Sequence, residues 1–335
     1  MSAAPRADST MAPRAMVLLA LLAAGALVLP HFAGGYALSL ATLILYFAFT
    51  GQAWNVMMGF AGQLSLGHSL YVGLGAYAAA ALFTKFGVGP WAGVWLAMAL
   101  CVAAGAAIGF LAFRFGISGV YFALLTIAFA EFTRIGFDHI GWLGGPGGLF
   151  LKVGERTHVD LLDLRGTPAM YYYVMLALTA GAFALCAWLL RSRAGYYWQA
   201  IRENEEAAQA LGINTFRWKM LAVMISAAMT AVAGVFFAFY YNNLFPEQIF
   251  NIGQSIEIIL GPIVGGVGTL FGPILGAVLL TWLADTLSNA VSALGWNIPG
   301  VKQVFYGVVL LLVIVYLPNG IWPPIARRLG IGRRD

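Results

Sequence analysis

The sequence predicts an all-α polytopic membrane bundle of about ten spans, some of them short broken helices. Three observations carry this. The 335 residues are 61% apolar and only 9% charged, against roughly 25% charged in a soluble domain. The apolar residues come in blocks of about 20, the length that crosses a hydrocarbon core. Aromatic residues at 14% suit interfacial belts, and 41 glycines suit close helix packing in lipid. Cys101 and Cys186 are the only cysteines and both fall in apolar blocks, which excludes a disulfide framework and a cysteine metal cluster. The net charge of +5 is read as topology and carries no nucleic-acid signal.

In chain order, residues 1–14 are polar, with Arg6 and Arg14, and are expected to be disordered and cytoplasmic. The membrane domain is expected over 15–318, with a basic cytoplasmic tail over 319–335. Residues 15–32 resemble a signal peptide, but the spans that follow favour a retained first helix. Further spans are expected near 37–58, 63–84, 90–113, 117–134, 170–190, 218–241 and 301–318. The stretch 252–292 is interrupted by Pro262, Gly265, Gly266, Gly268, Gly272 and Pro273. Placing both termini and the loop 191–219 inside puts 12 of the 18 basic residues on the cytoplasmic side. Lys85, Arg134, Lys152, Arg156, Arg165 and Lys302 stay outside. Parity then requires 252–292 to cross an even number of times, so two short spans are expected near 252–266 and 272–292. The loop 136–168 lies outside and contains the turn-rich GWLGGPGG at 141–148. It is expected to dock a soluble partner or to gate; the alternative is a tether.

The one long charged segment between apolar spans is 191–219. It holds Arg191, Arg193, Arg202, Glu203, Glu205, Glu206, Arg217 and Lys219. Without Pro or Gly from 196 to 211, it reads as one helix, ended by a left-handed cap at Gly212. Asn214 and Thr215 can cap the next helix. Glu206, Ala207, Ala208 and Gly212 have the spacing EAAxxxG, which resembles the loop that docks importer permeases onto their ATPases. Small Ala side chains permit close approach, while Arg202, Glu205 and Glu206 fix orientation. The alternative is an ordinary amphipathic surface loop.

Polar groups at membrane depth mark candidate function. Gln63, Ser65, His68 and Ser69 sit among the glycines of residues 59–77. Gly-rich breaks occur in membranes only against protein or a water-filled cavity, and interrupted helices often form transport sites. These four residues are candidates to line a pathway; the alternative for His68 is a packing role. Gly73, Ala76 and Ala80 make a small face suited to helix packing. Glu131 and Arg134, at i and i+3, can pair on one face, as pathway groups or as an interfacial ion pair. Glu257 and Asp285 are the other acids at depth, able to bind an ammonium group or to accept from exposed backbone. The Gly-rich stretches 59–77 and 261–277 match poorly as halves of a repeat. No lysine precedes Ser or Thr, so there is no P-loop. No nucleophile with a base, HExxH or CxxC is present, so no catalytic residue, metal site or cofactor is expected.

Three stretches together resemble the LivM-like branched-chain amino acid ABC permease family: GQLSLGHSLYVGLGAYAA (62–79), YFALLTIAFAEFTRI (121–135), and RENEEAAQALGINTFRWKMLAVMISAAMTAVAG (202–234) followed by GGVGTLFGPILGA (265–277). The resemblance implies a bacterial inner-membrane subunit working with a second, LivH-like permease. It also implies two cytoplasmic ATPase subunits that hydrolyse the ATP, and a periplasmic binding protein. Leucine, isoleucine and valine are the implied substrates, with urea, short amides or aromatic acids as alternatives. Coupling carries over to Arg202, Glu205, Glu206, Ala207, Ala208 and Gly212, while the pathway set remains Gln63, Ser65, His68, Ser69, Glu131 and Glu257. The rival classes are an ion-coupled secondary transporter or channel, and a scaffold subunit without a pathway.

Overall fold

Lipid offers no partner to a backbone N–H or C=O, so each apolar block satisfies its own groups as a helix. The computed structural model describes residues 13–151, 160–294 and 300–329, without the side chains of 13–22, 302, 314 and 329. Each of the ten expected spans meets a helix. These are α1 (Pro13–Phe32), α2 (Gly35–Asn55, continued by a π turn at Val56–Phe60), α3 (His68–Phe86), α4 (Pro90–Arg114) and α5 (Val120–His139). The others are α6 (Pro168–Arg191), α9 (Thr215–Tyr241), α11 (Ile252–Gly265), α12 (Gly272–Ala293) and α13 (Val301–Tyr316). Short helices α7 (Arg193–Glu203), α8 (Glu205–Ala210), α10 (Pro246–Ile249) and α14 (Trp322–Leu329) complete the order. Among the described residues, six helices are long and apolar enough to cross a membrane: α2 with its π turn, α4, α5, α6, α9 and α12.

Three boundaries differ from expectation for physical reasons. The span expected from 63 begins at His68, because residues 61–67 run as a non-helical return. The span expected at 117–134 begins at Val120, after Gly116 and Gly119 take positive φ, and continues to His139. It can continue because Arg134 pairs with both Glu131 and Asp138 along one helix face. The single helix expected over 196–211 is two helices. Asn204 is extended (φ −157°, ψ 107°), and its side chain accepts from the Ala207 N–H, so it starts α8 rather than continuing α7. The expected disordered segment 1–14, except for the backbone of Pro13 and Arg14, and Lys152, Glu155, Arg156, Arg333 and Arg334 lie outside the described residues.

The core is a seam of small residues. α3 and α9 run parallel, with His68 level with Ser226. A Cβ added to Gly234 would strike the Val72 carbonyl and the Ala76 N–H, and one on Gly75 the Ala231 carbonyl. Ala76 and Ala80 of the small face are fully buried. α4 joins through Gly105, and α2 runs antiparallel to α9, with Ser226 hydrogen-bonded to Ala53 O. α11 and α12 meet backbone to backbone at Gly261 and Gly276. α2 and α9 are therefore the protein-lined centre, each 61% buried in its apolar window, whereas α5, at 22%, forms an outer edge.

The bundle has two distinct ends. One gathers α7, α8, the π turn, the α11–α12 turn and α14. The described basic residues there are Arg114, Arg191, Arg193, Arg202, Arg217, Lys219, Arg327 and Arg328. The opposite end holds Lys85, Arg134 and Arg165 among the residues with described side chains. There β1 (Leu149–Phe150) pairs antiparallel with β2 (Asn243–Leu244), so the loop after α5 is tied to the turn after α9. Trp91 and Tyr171 add bonds to Leu161 O and Leu164 O of the same loop.

Candidate functional site

Three polar regions stand out. The first is the head of α3, held deep in the bundle. Four N–H groups at a helix start lack intrahelical partners, and in an apolar bundle each needs one. Leu66 N–H donates to Thr126 Oγ1, Gly67 N–H to Ser65 Oγ, and Ser69 N–H to Ser255 Oγ. Ser226 Oγ donates to Ala53 O, so it accepts from His68 Nε2 at 3.0 Å. The Nε2–H tautomer then leaves His68 Nδ1 to accept from Ser65 Oγ at 3.3 Å. Trp54 Nε1 donates to Ser65 O, Gln63 Nε2 to Ala61 O and Ser69 Oγ to Phe250 O. Ser65 and His68 thus share a buried network with Ser226, Ser69 pairs with Ser255 and Phe250 O, and Gln63 bonds Ala61 O, so all four have protein partners. Ser226 and Ser255, missed in the sequence, are the partners of His68 and Ser69. Each is a lone serine in an apolar span, with a partner 158 or 186 residues away.

The second region is the charged hairpin at the basic end. Arg202 of α7 reaches back into the bundle and donates to Gly59 O at the end of the π turn, at 2.5 Å. Its stem lies beside Gly62, and its guanidinium beside Gly268. Asn55 bridges the same place, donating to Thr269 O and accepting from Gly268 N–H. Only glycine fits at 59, because a Cβ there would meet the Asn55 side chain. The two Gly-rich breaks of the chain therefore touch each other and α7. Glu205 pairs with the buried Lys219 at 2.6 Å, and Ala208 is buried against the bundle. Glu206, Ala207 and Leu211 face outward, Leu211 being 81% exposed. Gly212 takes φ +83° and closes α8, and Asn214 caps α9 on the Arg217 N–H. Sequence reading found the cap and the EAAxxxG face but missed the π turn and the Arg202 bond.

The third region lies among α2, α9, α11, α12 and α13. A chamber of about 160 Å³ there is lined by Tyr46, Gln254, Glu257 and Asp285, with Leu40 and Phe237 among its apolar walls. A wider cleft of about 690 Å³, between α11 and α13, shares Gln254, Glu257 and Tyr306 with it. Asp285 does not serve exposed backbone; it accepts from Tyr36 Oη at 2.6 Å and from Asn289. Glu131 stands apart from these cavities, its side chain 51% exposed and bound to Arg134. Of the expected pathway residues, Glu257 lines both cavities.

Helices broken inside the bundle, polar cavities at depth and a charged hairpin at one basic end together define a multi-span membrane transport subunit. The chain belongs to the family described as branched-chain amino acid transport system / permease component, which matches residues 36–314. It is 28% identical to the high-affinity branched-chain amino acid transport system permease protein LivM of Escherichia coli K12, over 95% of this chain and 77% of that protein. It is 33% identical to the corresponding LivH protein of the same organism over 138 residues, 41% of this chain and 42% of that protein. It is also 32% identical to the autoinducer 2 import system permease protein LsrC of Yersinia pestis, over 53% of this chain and 52% of that protein. No solved structure matches the chain.

Proposed function

We propose that the chain is the membrane-spanning subunit of an ATP-driven importer of leucine, isoleucine and valine in the bacterial inner membrane. The observation that carries this reading is the α7–α8 hairpin. It presents Glu206, Ala207 and Leu211 outward, while Arg202 and Lys219 fasten it to the broken helices. A partner pressing on that surface acts on both breaks at once. The partners in this reading are two cytoplasmic ATPase subunits docked on residues 191–217, and a second, LivH-like permease beside this chain. A periplasmic binding protein docks at the opposite end, where residues 140–151 and 242–251 are tied by the β1–β2 pair. The basic end is cytoplasmic, with both termini, because eight described basic residues gather there against three opposite. ATP is hydrolysed on the partners, since this sequence has no P-loop. Gln63, Ser65, His68 and Ser69 hold the broken helices that flank the route, and Glu257 faces it. The likeness to LivM over 95% of the chain supports the choice of substrate.

Copurification of the tagged chain from membranes tests this. The expected result is a second permease and ATPases, with ATP hydrolysis stimulated by a leucine-loaded binding protein. Recovery of the chain alone, with uptake that follows an ion gradient, sinks the reading in favour of a secondary transporter. Within the complex, Glu206→Arg and Gly212→Leu are expected to leave the subunits assembled but to separate ATP hydrolysis from uptake. Wild-type uptake in both variants removes the hairpin from the mechanism.

A further inference from the structure

Gln52 and Asn55 of α2 are polar and fully buried, and their side chains serve the turn between α11 and α12. Gln52 Nε2 donates to Leu270 O at 2.6 Å, and Asn55 Nδ2 to Thr269 O at 2.9 Å. Asn55 Oδ1 accepts from Gly268 N–H at 2.8 Å. One face of α2 thus grips three consecutive residues of the turn. The fit is close on the same face at Gly51, where a Cβ would lie 3.1 Å from the Pro262 ring. Ala53 O, between the two gripping residues, is anchored to Ser226 of α9. Gln52 therefore sits on the anchored side, while Asn55 heads the π turn Val56–Phe60. Such windings are rare and frequent at functional sites. At the far end of the π turn, Gly59 O takes the Arg202 guanidinium of α7. The grip is also incomplete: Gln52 Oε1 is buried and has no partner among the described residues. A buried acceptor without a donor disfavours the arrangement that leaves it so, and favours exchange with another.

We propose that Asn55 and Gln52 are positioning residues that carry motion of the α7–α8 hairpin into the α11–α12 turn. Movement of Arg202 displaces Gly59 O and the π turn with it. Asn55 passes that displacement to Gly268 and Thr269, while Gln52 holds Leu270 as the pivot. α11 and α12 follow together, because their backbones touch at Gly261 and Gly276. α11 supplies Gly253, Gln254 and Leu260 to the wall of the 690 Å³ cleft, so the cleft changes width when the turn moves. The inference rests on the import reading above and adds the residues that transmit the stroke.

The test is leucine uptake and ATP hydrolysis in proteoliposomes holding the full chain with its partner subunits, each measured per assembled complex at saturating leucine-loaded binding protein. Asn55→Ala removes two bonds to the turn and is expected to lower uptake about tenfold. Gln52→Leu removes one bond at similar side-chain size and is expected to lower it about threefold. Stimulated ATP hydrolysis is expected to stay within about twofold of the unaltered complex in both. The ratio of uptake to ATP hydrolysis therefore falls. A merely structural role lowers the amount of assembled complex and leaves that ratio unchanged, a result that overturns the relay and leaves the importer standing. Failure of the unaltered complex to drive leucine uptake with ATP overturns the import reading as well. Should Asn55→Ala not assemble, Gln52→Leu decides alone: an unchanged ratio refutes the relay, and a threefold fall with intact ATP hydrolysis supports it.

Discussion

The α3–α9 seam and the α11–α13 cleft treat polar groups in opposite ways. In the seam every polar side chain around His68 has a protein partner, and helix backbones touch at Gly75 and Gly234. In the cleft the Tyr46 hydroxyl has no hydrogen-bond partner among the described residues, and two cavities open around Glu257. A satisfied buried network rigidifies, whereas an unsatisfied group beside a cavity costs stability and invites a ligand. The seam is thus the fixed frame of the subunit, and the cleft is where a small molecule or a moving helix has somewhere to go.

The comparison can be broken most severely at Gly234. Gly234→Leu forces a side chain into the Val72 carbonyl and is expected to cost about 3 kcal/mol or more, enough to reduce folded protein in membranes. Normal yield and melting temperature in detergent would show that the helices can part. Next comes His68→Ala, which strands Ser65 and Ser226. A loss of about 2 kcal/mol is expected, read as a lower melting temperature. Arg202→Ala is expected to leave stability within about 1 kcal/mol of wild type, read as a nearly unchanged melting temperature, since the side chain is 36% exposed. Leucine uptake should fall severalfold while ATP hydrolysis continues, because the link from α7 to Gly59 is gone. Equal uptake in Arg202→Ala would mean that the hairpin moves the bundle through other contacts. The smallest effect has the opposite sign. Tyr46→Phe is expected to raise stability by a few tenths to about 1 kcal/mol, since it deletes a buried hydroxyl that has no partner among the described residues. Destabilisation instead would show that Tyr46 is held by the frame and belongs to it.

Much of this architecture was legible because apolar block length and Pro/Gly breaks are local signals. The α11–α12 interruption was read from Pro262 to Pro273 and lies there, at Gly266 to Phe271. Gly212 and Asn214 were legible as caps for the same reason. What escaped depends on partners far apart in sequence. Asn55 meets Gly268 across 213 residues, and Arg202 meets Gly59 across 143. Asn204 was misread because its propensity to start a helix outweighs an otherwise uninterrupted helical pattern. Tyr46 looked like one more aromatic in an apolar span, and only the surrounding helices reveal that its hydroxyl faces a chamber.

The last helix carries a consequence for how the subunit is made. Ile321 N–H donates to Val264 O, Gly320 lies against Gly266, and Trp322 packs on Phe271 at 4.7 Å. These contacts close the α11–α12 turn, the same turn that Asn55 grips from the other side. During synthesis residues 320–322 leave the ribosome some fifty residues after that turn does. The second side of the turn can therefore be clasped only once nearly all the described chain has emerged. A ribosome that stops before residue 320 leaves that turn held from the α2 side alone, by Asn55 and Gln52.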